Sequence, residues 1–332
     1  MKAIHFTGLG IAGLADLKEP ELAPGHALVR VMASGLCHTD IDVLHGRYGN
    51  SAFPLVPGHE YAGIVEAVAE DVTNWRPGDR VAVDPNIPCG KCRSCRKGLT
   101  NLCETLEAYG VSRNGGFAQY SAVKVDHLHT IGQLPFHVAA LAEPLACVLN
   151  GLGNVHATHA ENALVFGAGP IGLLMALSLK AQGVDDVSVA DINESRLSFA
   201  QSLGLKPVRS GSVALENQKK AFDFVADATG IARVVEEMIA YTADGGTALV
   251  FGVSAPDARI QIAPFEIFRR QISLVGSHSL NRNIPDALAI LHNDNGMMAK
   301  LISHRLPLDE ILPYFSKGAA TPQTMKVQFS TK

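Results

Sequence analysis

Ala163-Leu164-Val165-Phe166-Gly167-Ala168-Gly169-Pro170-Ile171-Gly172 is the stretch that decides how this chain folds. Four apolar residues run into Gly-x-Gly-x-x-Gly, and the apolar segment from Pro170 to Gly183 follows at once. Strand, tight glycine turn and helix in succession form the dinucleotide-binding fingerprint. Gly167 permits the turn, Gly169 lets backbone approach a pyrophosphate, and Gly172 permits close packing of helix on strand. Pro170 and Ile171 open the helix, whose N-terminus attracts phosphate charge. Glycine punctuates many turns, so context has to support the motif. Asp191 does so: it ends the next apolar segment, Val187 to Asp191, about 20 residues on, as the fingerprint expects. Its carboxylate would accept hydrogen bonds from the adenosine ribose hydroxyls and repel a 2′-phosphate. NAD is therefore expected over NADP, with Arg196 as a nearby cation that would partly offset the repulsion.

Outward from this motif, strands and helices alternate. Leu141–Leu152 reads as a helix, Ser195–Gly204 as a helix, Phe222–Gly230 as a strand and Arg233–Ala243 as a helix. Gly246–Gly252 and Ser273–Ser277 read as strands, and Pro285–Asn293 as a helix. Such alternation predicts a parallel sheet covered on both faces. The first 140 or so residues have a different texture. His26–Gly35, Tyr61–Val68 and Asp79–Pro85 are short apolar runs, punctuated by Pro-Gly pairs at Pro24, Pro57 and Pro77. That pattern predicts many short strands and a barrel-like β unit.

The β unit carries the metal chemistry. Cys89, Cys92, Cys95 and Cys103 form Cys-x2-Cys-x2-Cys-x7-Cys, which fits one tetrahedral zinc in a closed, structural site. Such a site holds a loop and cannot activate a substrate. Only Cys37 and Cys147 remain, so a second metal needs mixed ligands. Gly58-His59-Glu60 and the upstream Gly35-Leu36-Cys37-His38-Thr39-Asp40 supply an open Cys/His/carboxylate set.

With 332 residues, 47% hydrophobic and 18% charged, the chain has enough apolar residues for two ordinary domains. A net charge of −4 without charged blocks gives no reason to expect nucleic acid or an anionic membrane as partner. The longest uncharged run, 162–179, is broken by three glycines and Pro170, so no membrane span is expected there. The N-terminal segment lacks the pattern of a signal peptide, and clustered cysteines then suggest metal binding in a reducing cytoplasm rather than disulfides. His38, His45, His127, His129, His156, His159, His278 and His304 show no ligand spacing among themselves. His45 is expected to be a surface or packing residue.

Together, GLCHTD, PGHEYAGIVEAVA, DRVAVDP, the four-cysteine lobe, AEPL and GAGPIG resemble the zinc-dependent medium-chain dehydrogenase/reductase family, in its polyol (sorbitol-like) branch. The resemblance covers essentially the whole chain. It implies a GroES-like β-barrel catalytic domain over 1–141, with the zinc lobe at about 86–106. A Rossmann NAD-binding domain over 142–285 and a return segment over 286–332 complete the expected layout. It places a catalytic zinc on Cys37 and His59, with Glu60 and Glu143 both candidate carboxylate ligands; Cys147 is read instead as a small buried hydrophobe. Thr39 takes the position of the proton relay, and Asp40 that of the carboxylate that orients the zinc histidine. Two zinc ions per chain, NAD, and a homodimer or homotetramer follow from the same resemblance.

The implied chemistry is reversible oxidation of a secondary hydroxyl of a sugar alcohol to the ketose. Zinc lowers the hydroxyl pKa so that an alkoxide forms, and the carbon gives hydride to the nicotinamide. Other secondary alcohols are the alternative: an alditol phosphate, a short diol or a threonine-like substrate. A zinc-free NADPH reductase and a non-enzymatic, zinc-stabilised relative are two further readings, opposed by the intact ligand set. The chain departs from sorbitol dehydrogenases where an Arg-Tyr pair contacts substrate, since Ser279 and Leu280 stand there. Val43 stands where a pocket aromatic is found.

Overall fold

A computed structural model describes residues 1–48, 53–155, 160–316 and 319–331, so His156 and His159 lie outside the described residues. The chain forms two compact units, Met1–Ala146 together with Leu280–Lys332, and Cys147–Ser279. The sequence placed the divisions at 141/142 and 285/286. The first observed division falls inside the Ala142–Val155 helix, which offers no loop or composition change for the sequence to mark.

The first unit is built on the strand His26–Gly35. Its residues alternate between half-buried and buried up to Met32, as a strand with one core face must. From Ala33 to Gly35 all are buried, so both faces are covered at this end. The strand pairs antiparallel with Glu60–Val68, Tyr120–Lys124 and Lys326–Ser330. The longest path through this seven-stranded sheet runs Ile302–Leu306, Lys326–Ser330, His26–Gly35, Glu60–Val68, Arg80–Val83 and Leu128–Thr130. The return segment thus supplies two strands of the same sheet. It also supplies Phe315, which meets Phe6 and Phe117 edge to face at 5.5 and 5.2 Å in the core. Truncating such a buried ring costs about 3–5 kcal/mol.

The second unit is a six-stranded sheet, parallel throughout. Its order is Lys206–Arg209, Asp186–Asp191, Asn162–Phe166, Phe222–Asp227, Thr242–Val250 and Ser273–Gly276. The order reverses beside Asn162–Phe166, which puts the glycine turn at the switch point where dinucleotides bind. Both parts of the expected fold, a GroES-like domain and a Rossmann domain, are present. Three elements of this unit escaped the sequence reading. The strand Lys206–Arg209 is short, charged and mostly exposed at the sheet edge, and the helices Val213–Glu216 and Pro264–Arg270 span only 4 and 7 residues. One boundary also moved: the strand expected from Gly246 begins at Thr242, directly after the helix Ala232–Tyr241.

Candidate active site

Cys37 follows the fully buried end of the His26–Gly35 strand and serves as the N-cap of the helix His38–Leu44, with extended backbone. Asp40, in the first turn of that helix, is fully buried. One of its oxygens accepts the Cys37 backbone N–H at 2.9 Å, and the other accepts the Gly58 N–H at 3.1 Å. A single carboxylate therefore ties the loop bearing the cysteine to the turn bearing the histidine. Gly58 has φ +98, and a Cβ there would stand 2.6 Å from the Phe117 ring, so only glycine makes this turn. His59 Nδ1 lies 3.3 Å from Asp40 Oδ1, close enough for charge attraction but misaligned for a hydrogen bond. Burial disfavours the His59 cation, but Asp40 and then Cys37 outweigh it and hold its pKa well above the usual histidine value.

Glu60 begins its strand opposite Gly35. A Cβ at Gly35 would come within 2.1 Å of Glu60 Oε2, so the glycine makes room for the carboxylate. The donor atoms of Cys37, His59 and Glu60 all lie within 4.8 Å of one another. One sulfur, one nitrogen and one oxygen converging in this way fit a zinc ion with its fourth position open.

Lys326 was not singled out by the sequence. It opens the return strand, is 4% exposed, and its ammonium sits 2.7 Å from both oxygens of the fully buried Glu60. It also donates to the Leu36 carbonyl at 3.2 Å. Burial works against the Lys326 ammonium, yet Glu60 first, with Cys37 and Glu143 adding, raises its pKa above the ordinary lysine value. Glu60 is thus shared between the metal-ligand set and a buried cation. The only sequence signal was a lysine heading a short stretch in which polar and apolar residues alternate, Lys326-Val327-Gln328-Phe329.

The other expected residues are distributed around this core. Glu143, 8% exposed in the first turn of its helix, lies outside the three-residue donor cluster, although its charge is felt at Lys326. Thr39 is half-buried in the first turn of the Cys37-capped helix. Cys147, read from the sequence as a small buried hydrophobe, is half-buried. His45 is exposed at the end of its helix. Val43 is fully buried and Leu280 is 1% exposed.

The sulfur atoms of Cys89, Cys92, Cys95 and Cys103 also lie within 4.8 Å of one another, and no disulfide joins them. A tetrahedral zinc with Zn–S near 2.3 Å needs sulfurs about 3.8 Å apart, so the lobe fits that ion. Backbone N–H groups aim at the sulfurs: Cys92 donates to Cys89, Cys95 to Cys92 and Cys89 to Cys103. Such bonds from Lys91 and Cys92 lower the Cys89 thiol to about 6, and that from Cys95 lowers Cys92.

In the second unit, Gly167 has φ +104, and a Cβ at Gly172 would meet the Gly167 carbonyl at 1.8 Å. Gly169 faces open space, with an Arg196 nitrogen 3.9 Å from its imagined Cβ. Asp191 accepts the Ala168 N–H at 2.7 Å and the Asn193 N–H at 2.8 Å, so it braces the glycine turn itself. Arg196 Nε is buried without a hydrogen-bond partner. Arg209, unforeseen from sequence, pairs in register with Asp191 on the edge strand and is ion-paired with Glu194.

Residues 23–133 match the alcohol dehydrogenase GroES-like domain, and residues 136–328 the glucose dehydrogenase C-terminus. The chain is 68% identical to D-altritol 5-dehydrogenase of Agrobacterium fabrum over the full length of both. It is 31% identical to D-arabinitol dehydrogenase 1 of Uromyces fabae, covering 93% of this chain and 90% of that one. Among solved structures, a protein described as a zinc-binding dehydrogenase of Sinorhizobium meliloti, bound to NADP, superposes with TM-score 0.94. It is 31% identical and the match covers 99% of each chain. The chain belongs to the zinc-dependent medium-chain dehydrogenase/reductase family, in its polyol dehydrogenase branch.

Proposed function

We propose that this chain oxidises a secondary hydroxyl of an alditol to the ketose, with D-altritol and carbon 5 the first substrate and position to examine. The observation that carries the reading is the convergence of Cys37, His59 and Glu60 donors within 4.8 Å, on two loops tied together by Asp40. The 68% identical relative directs attention to altritol among the alditols.

Cys37, His59 and Glu60 would hold a zinc ion, which as a Lewis acid makes a substrate hydroxyl easier to deprotonate. NAD supplies the hydride acceptor. The remaining work belongs to side chains. Asp40 fixes the approach of Cys37 and the ring of His59; such partners set orientation and affinity of a ligating histidine. Lys326 sets its ammonium against both Glu60 oxygens where neither side chain is open to water. Thr39, in the turn beside Cys37, is the group assigned to pass the hydroxyl proton outward. Glu143 adds a second carboxylate near Lys326, and we assign it as an alternative ligand that exchanges with Glu60.

We further propose two zinc ions per chain, the second in the four-cysteine lobe, and NAD over NADP through Asp191. The six free cysteines suit a reducing, cytoplasmic compartment. For assembly, the edge strand Ser273–Gly276 leaves Leu274 exposed, and Phe265 and Phe268 beside it are 67% and 77% exposed. An unpaired edge with apolar neighbours favours pairing with a second copy.

The test is a panel of alditols, alditol phosphates, short diols and threonine with the zinc-loaded protein. Absorbance of the reduced nicotinamide is followed with each cofactor. The proposal expects D-altritol to give the highest kcat/KM. Turnover confined to a diol, a phosphate or threonine would move the chain to the alternative substrate class. No turnover of any member would overturn the reading.

A further inference from the structure

The four-cysteine lobe holds more than itself. Between its third and fourth cysteines, the chain turns at Gly98, where φ is +79, and enters a short helical turn at Thr100. Asn281 spans this turn. Its Oδ1 accepts both the Thr100 backbone N–H at 3.1 Å and the Thr100 hydroxyl at 2.8 Å, and its Nδ2 donates to the Gly98 carbonyl at 2.9 Å. Just before the first cysteine, Asn86 Nδ2 donates to the Leu280 carbonyl at 3.0 Å. Leu280 and Asn281 are the first residues of the chain on its return to the catalytic unit.

This returning strap is not a relaxed loop. Ser279 and Arg282 have φ of 54 and 62, a region that residues with side chains seldom occupy. Such backbone persists only where the surroundings over-determine it. Asn150 Nδ2 donates to the Ser279 carbonyl at 2.8 Å, Asn283 Oδ1 accepts the Asn281 N–H at 2.9 Å, and Leu280 and Ile284 are buried. The polar contacts described above, on Leu280 and Asn281, come from the lobe. The gripped groups, Gly98 and Thr100, are in turn placed by the cysteine framework: Gly98 N–H donates to the Cys95 carbonyl, and Cys103 N–H to the Thr100 carbonyl.

We propose that the four-cysteine lobe is a clamp on the Leu280–Asn283 strap, with Asn281 as its positioning residue. Metal occupancy of the lobe and order of the strap are therefore thermodynamically linked. Linkage is reciprocal: what loosens the strap must weaken the lobe, and what empties the lobe must loosen the strap. The sulfur set fits a zinc ion, and that ion fixes the spacing of Cys95 and Cys103 that presents Gly98 and Thr100 to Asn281.

The test uses the full-length, zinc-loaded protein and no activity readout. Alkylation of Cys89, Cys92, Cys95 and Cys103 is timed by mass spectrometry, because metal-bound thiolates are protected. Each hydrogen bond of this kind is worth a factor of about 5, so Asn281→Ala should speed alkylation of the four at least about fivefold. Thr100→Val should move in the same direction, Thr100→Ser should restore the native rate, and Cys37 should alkylate unchanged throughout. In parallel, hydrogen exchange is read in the peptide 280–288 with the lobe filled and emptied. Emptying should raise exchange there about tenfold or more, with the strand Ala163–Phe166 unaffected. Unchanged alkylation in Asn281→Ala, or a strap indifferent to emptying, overturns the clamp. If emptying unfolds the whole unit, the Asn281 and Thr100 variants decide the matter with the metal in place.

Discussion

Replacing Lys326 with methionine isolates the one strong interaction at the site that no motif announced. Methionine keeps the apolar stem and removes the ammonium 2.7 Å from both Glu60 oxygens. At that distance, and with an effective dielectric near 20, the attraction is roughly 6 kcal/mol before desolvation is subtracted. Glu60 is fully buried, so it cannot recover the loss from water. Removing one partner of a buried pair typically costs about 3–5 kcal/mol, because the other charge is left stranded. For a unit of this size that is a fall in Tm of about 10 °C. The assay is thermal unfolding at fixed zinc concentration and neutral pH, for Lys326→Met, Glu60→Gln and the double variant. Glutamine carries no charge to strand, so the double variant should recover more than half of the loss suffered by Lys326→Met. A Tm within about 2 °C of the parent for Lys326→Met, or a double variant no better than that single one, would refute the account of Glu60 as a charge dependent on this cation.

Metal content should be about two zinc ions per chain by elemental analysis; Cys37→Ser or His59→Ala should lose one equivalent and all turnover while keeping the fold, and Cys92→Ser should lose stability. Glu60→Gln and Glu143→Gln should each lower kcat more than they weaken NAD binding, and an unaltered kcat in Glu143→Gln would remove it from the chemistry. Cofactor selectivity should favour NAD by about 100-fold in kcat/KM, and Asp191→Ser should erode it, with Arg196 and Arg209 available to a 2′-phosphate; equal use of both cofactors by the parent would refute the role given to Asp191. Asp84 gives a pH signature: burial raises its pKa to about 6, against the Asn86 N–H and Arg282. The folded state therefore binds this proton more tightly than the unfolded chain, and the stability it contributes is lost as pH rises from about 4 through 6, by up to about 3 kcal/mol. Asp84→Asn should flatten that slope in denaturant titrations at pH 4 and pH 8, and an unchanged slope would show that Asp84 is ionised throughout.

The cofactor unit was legible because its signal is local. Strand, glycine turn, helix and terminal Asp191 follow one another in 30 residues, and Gly167 and Gly172 answer nearby steric demands. The cysteine lobe was legible for the same reason. Cys37 and His59 needed the family resemblance, since nothing in their separation says that the two loops meet; Asp40 brings them together. Lys326 was hidden because 266 residues of chain separate it from Glu60, and one lysine in a strand has no periodicity to betray it. Val43 and Leu280 were legible only as departures from the pocket residues of relatives; that both are buried depends on backbone direction, which a sequence does not carry.

The ion pair also sets an order of assembly. Glu60 is synthesised long before Lys326, and at 5–20 residues per second the interval is roughly 13–53 s. The entire Cys147–Ser279 unit is made within that interval, so a unit begun second can be finished first. The nascent first unit must spend the same interval lacking two sheet strands, the Phe315 ring and the counter-charge of the fully buried Glu60. The surroundings of Glu60 are complete only when the final strand, Lys326–Ser330, arrives.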